Sequence, residues 1–206
     1  MRLVDCDDLS VRQINETIHR AVADGEREVH LQRPGARHNL AVAVLHDVRI
    51  VIDGPVGYYC GGMSDGVRLE IHGSAGWGAA ECLLSGSVVI DGNAGNGAAA
   101  SIRGGTVVVK GDAAARAGIA MKGGLLVIGG DTGYMTGFMM QRGRIIVCGN
   151  AAVSRALPSF SVMEIIPVSA MAKFAPVMPT SAWRYFWRST RRATIVSSSG
   201  SSDGAS

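Results

Sequence analysis

The chain has 206 residues, 47% hydrophobic but only 5% aromatic, which suits a single domain with small appendages and a core of Val, Ile and Ala. Its formal charge of +3 is unevenly held: residues 1–150 carry 14 Lys and Arg against 15 Asp and Glu, and residues 151–206 carry 6 against 2. The body is therefore close to neutral, which excludes a basic stripe for nucleic acid, and no apolar run reaches the length needed to cross a membrane.

The start, MRLVDCDDLS, lacks a basic-then-apolar leader, and Cys6, Cys60, Cys82 and Cys148 lack CxxC spacing. A reduced cytoplasmic setting is expected, with no disulfide framework and no metal site on this chain. Arg2-Leu3-Val4 reads as a short edge strand. Ser10 reads as a helix N-cap, Val11, Ile14, Ile18 and Val22 recur at helical spacing, and Gly25 ends the element. This helix, at about 11–23, is expected to close the open N-terminal end of a repetitive body, since an uncovered end invites aggregation. Residues 1–27 are therefore assigned to a strand-and-helix cap.

From residue 28 a nineteen-residue period governs the sequence. Gly35, Gly54, Gly73, Gly92, Gly111, Gly130 and Gly149 hold its register. Most units open with a β-branched pair, such as Val51-Ile52, Val89-Ile90, Val108-Val109, Val127-Ile128 and Ile146-Val147, which reads as a short buried strand. A helical reading fails, because each glycine would cost about 1 kcal/mol in a helix interior. A fixed repeat of this length, punctuated by small residues, predicts a right-handed parallel β-helix over residues 28–156. The register glycines are expected to supply positive φ at its corners. Beyond Ala156 the pattern stops: Val168 stands where the next register glycine would fall, and no glycine occurs from 150 to 199. Residues 157–206 read as an aberrant or disordered tail, either a genuine extension or a frameshifted gene end. The run Trp183 to Arg188 reads as poorly packed tail in preference to a membrane or acidic-partner contact.

Candidate chemistry is sparse. GSAGWG (73–78) and GNAGNG (92–97) look superficially like dinucleotide fingerprints, but no helix follows them to receive a pyrophosphate, so a Rossmann site is rejected. His19, His30, His38, His46 and His72 form no recognisable catalytic or metal constellation and read as structural or surface residues. Cys82 is expected to pack as a small apolar residue, and Glu81 to be a satisfied structural carboxylate or an exposed one. Two segments depart from the repeat. In GPVGYYCGGM (54–63), Tyr58 and Tyr59 are expected to straddle the coil, one inward and one outward. In GDTGYMTGFMMQRG (130–143), Met135, Phe138, Met139 and Met140 form a bulky apolar ridge. Both are candidate partner interfaces, because such side chains give broad apolar contact area, with a packing variation in the first segment and buried packing in the second as the alternative readings.

The strings GPVGYYCGGM, AGWGAAECLLSG, ARAGIAMKGG and GYMTGFMMQRG, set in a GXGXG-type repeat, resemble the C-terminal β-helix domain of the glutamate synthase large subunit. They are most similar to its stand-alone form, the small subunit of N-methylglutamate synthase and related three-subunit enzymes. RPGARHNLAVAV (33–44) resembles that subunit's first coil, and the resemblance covers roughly residues 1–155. It implies a scaffold with no catalytic, cofactor-binding or metal residue of its own. It also implies separate partner chains: a class II glutamine-amidotransferase-like subunit, and an FMN-binding glutamate-synthase-like barrel carrying the FMN and iron–sulfur groups. The lack of an N-terminal cysteine nucleophile after Met1, and of clustered cysteines for an iron–sulfur centre, agrees with that. Two alternatives stay open. One is the β-helix subunit of a formylmethanofuran dehydrogenase or formyltransferase/hydrolase-type complex in one-carbon metabolism, and the other is a structural solenoid without enzyme partners.

Overall fold

The computed structural model describes residues 1–151 and the strand 162–165. Among these, nine strands form one all-parallel sheet in chain order: β1 (Arg2–Asp5), β2 (Glu28–Gln32), β3 (Arg49–Asp53), β4 (Val67–Ile71), β5 (Gly86–Ile90), β6 (Thr106–Val109), β7 (Lys122–Ile128), β8 (Arg142–Val147) and β9 (Val162–Ile165). Ile50 pairs with Leu69, Leu69 with Val88, Val88 with Val107, Val107 with Leu126, and Leu126 with Ile145, each one sequence period on. Parallel neighbours need a full crossover between them. The chain is therefore a β-solenoid of about six turns with coils of about 19 residues. Strand alternation sends Leu69, Val88, Val107, Leu126 and Ile145 inward in one column and Ile71, Ile90, Val109, Ile128 and Val147 in another, all fully buried.

A second side of the coil is a one-residue ladder, Val56–Ala75–Ala94–Ala113–Thr132–Ala151, whose small side chains fill the narrow interior. The third side has an unusual backbone. Three alternate residues per coil take positive φ, for example Tyr59, Gly61 and Met63, then Gly78, Ala80 and Cys82, then Gly97, Ala99 and Ser101. In the sets that begin at Asn39, Tyr59, Gly78, Gly97 and Arg116 the first and third residues donate their N–H forward to the next coil, as Tyr59 does to Trp77 O and Met63 to Glu81 O. The middle one donates back, as Gly61 does to Leu40 O and Ala80 to Cys60 O. Each non-glycine residue in this conformation costs about 1–2 kcal/mol. The inter-coil hydrogen bond that the conformation permits offsets it, which is why Ala, Met, Cys and Ser are tolerated there.

The N-terminal cap forms as expected. Helix α1 (Val11–Ala23) begins with a capping box in which the Ser10 side chain accepts from Gln13 N–H and the Gln13 side chain accepts from Ser10 N–H. Ile14, Ile18 and Ala21 are buried against the end of the core. One helix side chain substitutes for a missing coil. Ala41, a middle residue of the first positive-φ set, has no earlier coil to donate to. Asn15 Oδ1 accepts its N–H at 2.9 Å, while Asn15 Nδ2 donates to Asn39 O at 2.7 Å. Nothing in the repeat pattern singles out Asn15.

Three expectations are corrected. Five register glycines, Gly73, Gly92, Gly111, Gly130 and Gly149, do not have positive φ; only Gly35 and Gly54 do. The five are small because neighbouring coils approach too closely for a side chain: a Cβ would stand 2.1 Å from Asn93 Oδ1 at Gly111 and 2.0 Å from Asp112 Oδ1 at Gly130. The strand stack also runs past the boundary set at 156, because β9 pairs with β8 through Arg144↔Val162 and Ile146↔Glu164. The tyrosine pair does not straddle the coil, since Tyr58 and Tyr59 are both exposed. The expectations for the tail from 166 onward fall outside the described residues.

Candidate interface

The close approach at Gly92, Gly111, Gly130 and Gly149 comes from a polar ladder. At the next position Ser74, Asn93, Asp112, Asp131 and Asn150 follow one another at the coil period. Ser74 Oγ accepts Asn93 N–H at 3.1 Å, Asn93 Oδ1 accepts Asp112 N–H at 2.9 Å, Asp112 Oδ1 accepts Asp131 N–H at 2.8 Å, and Asp131 Oδ1 accepts Asn150 N–H at 2.6 Å. Each side chain thereby satisfies a backbone donor at the corner of the following coil, where no strand ladder reaches. The recurring Ser/Asn/Asp after a register glycine was the sequence signal for it.

Beyond this corner lies an exposed apolar face. His38 stacks on Tyr58 with ring centroids 4.3 Å apart, and Tyr58 on Trp77 at 5.1 Å, both at 15° between planes. Tyr58 N–H also donates to His38 Nδ1 at 2.9 Å. Glycine makes the stack possible: a Cβ on Gly76 would meet the Tyr58 ring, and one on Gly95 the Trp77 ring, each at 2.7 Å. Tyr59 does not turn inward. Its positive φ breaks strand alternation, so Tyr58 and Tyr59 both stand on the surface, 38% and 46% exposed, and the buried residue is Cys60. Met63 and Trp77 are exposed beside them.

The second outlying segment falls on the same columns farther along the solenoid. Tyr134 occupies the Tyr58/Trp77 column and Met139 the Met63 column, and both are exposed. Met135 and Phe138 are half-buried. Met140 is 2% exposed. It belongs to the inward column of Leu83, Ile102 and Met121, so its side chain is core and is corrected from the interface set. Between the two apolar clusters the Tyr58/Trp77 column carries Asn96, whose Oδ1 accepts Ala115 N–H at 3.1 Å, and then Ala115 itself. At a coil spacing of about 4.8 Å, Trp77 and Tyr134 lie about 14 Å apart along the axis. The sequence-predicted residues therefore form two patches on one face, bulky at each end and small in the middle. Cys82 shares this face and is half-exposed, not packed away.

Several ionisable groups join neighbouring coils. Asp53 stands between two histidines: His72 Nδ1 lies 2.8 Å from Oδ1, and His30 Nε2 lies 2.7 Å from Oδ2, close enough for an ion pair though poorly aligned for a hydrogen bond. Partial burial opposes ionisation of Asp53. The hydrogen bond to His72 and the charge and contact of His30 outweigh that and hold its carboxyl below the usual value. Arg49 bridges Glu28 and Glu70, its Nη1 2.6 Å from Glu28 Oε1 and its Nη2 3.0 Å from Glu70 Oε2. Burial pushes the Cys60 thiol up to about 12 and the Cys148 thiol up to about 11, and it raises Cys6 as well. None of these three thiols presents the thiolate that nucleophilic chemistry needs. Among the described residues no group of three or more His, Cys, Asp or Glu is placed to hold a metal, and no helix is long and apolar enough to cross a membrane.

No family model matches the chain, and no solved structure matches it significantly. Over 90 residues it is 43% identical to Protein GlxC of Rhizobium meliloti (strain 1021). The match covers 43% of this chain and 39% of that relative, so the chain corresponds to about two-fifths of the relative's length.

Proposed function

We propose that this chain is a non-catalytic scaffold subunit of a glutamate-synthase-type enzyme making glutamate or N-methylglutamate. In this reading it bridges an amidotransferase-like subunit and an FMN- and iron–sulfur-bearing barrel subunit. The observation that carries the reading is the two-patch apolar face: Tyr58, Tyr59, Met63 and Trp77 on early coils and Tyr134 and Met139 on a late one. Exposed patches of this kind are more often docking surfaces than catalytic ones. The patches lie within the strings that resemble the glutamate-synthase β-helix, and the similarity to Protein GlxC is consistent with a subunit of that kind. A solenoid suits the role because its stacked coils hold two docking patches at a fixed separation.

The test is affinity purification of the tagged chain from its own host, with mass spectrometry of the proteins retained, repeated with Trp77→Ser and Tyr134→Ser. Co-purification of both partner subunits, weakened at least tenfold by either substitution, is the expected result. Recovery of formyltransferase-type subunits, or of the chain alone, overturns the reading.

A further inference from the structure

The two apolar patches frame a depression on the third side of the solenoid. Between the coils of Trp77 and Tyr134 lie two coils, 96–103 and 115–122, whose outward residues are mostly small: Asn96, Gly97, Ala100 and Ser101, then Ala115, Ile119 and Ala120. Arg116 rises from the second of them. The floor is open at Gly97, where a Cβ would have nothing within 4 Å. One coil earlier the Tyr59 ring covers the corresponding Gly78, at 2.5 Å from a Cβ there. His38, Tyr58 and Trp77 stack coil on coil, so their ring planes lie across the axis and one face of the indole is turned toward the depression. Trp77 and Tyr134 are about 14 Å apart along the axis. Less about 3.5 Å for two half-thicknesses of ring, the gap matches the width of an α-helix with its side chains, about 10–12 Å.

The floor offers no strand edge. Gly97 N–H donates to Ala115 O, Ala99 to Ala79 O, Ala100 to Gly97 O and Ser101 to Ile119 O. With these donors spent between and within coils, a segment lying there must satisfy its own backbone, as a helix does and an extended peptide does not. The charge around the depression is also one-sided. Within 77–84, 96–103, 115–122 and 134–141 the charged residues are Glu81, Arg103, Arg116 and Lys122. The three bases are exposed and have no ion-pair partner among the described residues. Asp112 and Asp131 stand at the preceding corner, each with its Oδ1 held by a backbone N–H.

We propose that a partner subunit seats an acidic amphipathic α-helix in this depression, across the solenoid axis. Its apolar stripe lies between Trp77 and Tyr134, and a carboxylate meets Arg116. The inference rests on the reading of this face as a docking surface, and not on which enzyme supplies the partner.

The test uses the tagged full-length chain in its own host, with photoreactive p-benzoylphenylalanine in place of Ser101 or Ile119, whose columns already hold Met139 and Phe138. Mass spectrometry then reads which partner residues are captured. Expected are captures in one segment at spacings of three, four or seven residues, with Asp or Glu among its neighbours. Arg116→Glu is expected to lower recovery of that partner at least tenfold, and Arg103→Glu by a smaller factor. Capture at alternate residues makes the occupant a strand, and capture within a second copy of this chain makes it a dimer contact; either overturns the proposal. It is also overturned if partners co-purify through Trp77 and Tyr134 while both probes stay unreacted, or while Arg116→Glu recovers them fully. Those two results leave the docking face standing. Recovery of the chain alone overturns the docking reading itself, and this inference with it.

Discussion

The two halves of the sheet are built on one backbone and held together differently. On β2–β4 the outward residues are charged and bridge coils pairwise: Arg49 with Glu28 and Glu70, Asp53 with His30 and His72, and Arg68 with Asp47. From β5 onward the middle outward row is Val89, Val108, Val127 and Ile146, the inter-coil ion pairs thin to Lys110 with Asp91, and a corner ladder joins them, in which Ser74, Asn93, Asp112 and Asp131 each accept a backbone N–H of the next coil. At that corner the earlier coil has Pro55, which carries no side-chain acceptor. The inward columns scarcely change between halves. Solenoid identity thus rests on the interior and on small residues at contact points, while the outer surface is free to vary in its charge from one half to the other.

The sharpest way to break this comparison is to fill a contact point in the ladder half. Gly111→Ala sets a Cβ 2.1 Å from Asn93 Oδ1 and 3.0 Å from Gly92 O. The backbone cannot retreat without loosening the coil, and the cost expected from overpacking is about 2–3 kcal/mol in urea denaturation. The control is Gly25→Ala, where nothing lies within 4 Å of the new Cβ and only the positive φ of 86° is strained. About 1 kcal/mol is expected there. Next in size is Asn93→Ala, which strips Asp112 N–H of its acceptor at about 1 kcal/mol. Hydrogen exchange should quicken at Asp112 and leave Arg49 to Asp53 unchanged. Because Asn93→Ala also removes the atom that Gly111→Ala strikes, the double variant should lose less than the sum of the two.

Much of the body was legible because a solenoid writes its geometry into one repeating unit. The period placed β3 and β5 to β8, and Ser10 with Gly25 bounded the helix. The misreadings share a physical origin: they came from treating each coil as strand plus corner. Tyr59 faces outward because its backbone is left-handed, a conformation strand alternation cannot anticipate. Gly92, Gly111, Gly130 and Gly149 are small on account of a neighbour's side chain, so their cause lies one period away, not in the local turn. Met140 was legible in principle, since its counterparts Leu83, Ile102 and Met121 are all apolar, but its adjacency to Met139 suggested one continuous ridge. Asn15 was out of reach, because the donor it satisfies exists only once the first coil has folded. The strand β9 was missed because its coil carries no glycine to mark the register.

In the charged half, smaller effects are expected. Arg49→Met removes two ion pairs but keeps the apolar stem over Val51. With the guanidinium about 40% exposed, the loss should stay below about 1 kcal/mol. Raising salt should shrink it further, since exposed pairs are screened over about 10 Å at 0.1 M. Exchange protection in β2–β4 should then fall with added salt while that in β6–β8 holds. Equal salt sensitivity in the two halves would contradict the denser ion pairing assigned to β2–β4.

The smallest expected effect is the pH dependence of Asp53, and its sign is fixed by the direction of the shift. The folded carboxyl titrates below its unfolded value, because its contacts with His72 and His30 favour the charged form more than burial disfavours it. The folded state therefore binds the proton less readily than the unfolded state. The stabilisation is present above the unfolded carboxylate value, near 3.9, and is lost as pH falls through the lower folded one. Asp53→Asn should be less stable than the parent near neutral pH by a few tenths of a kcal/mol at most, given how exposed the pair is. The two stability curves should converge in acid below about pH 4. A difference that grows as pH falls would mean that Asp53 is held chiefly in its neutral form. The outer surface of β2–β4 would then be organised by hydrogen bonding and not by charge.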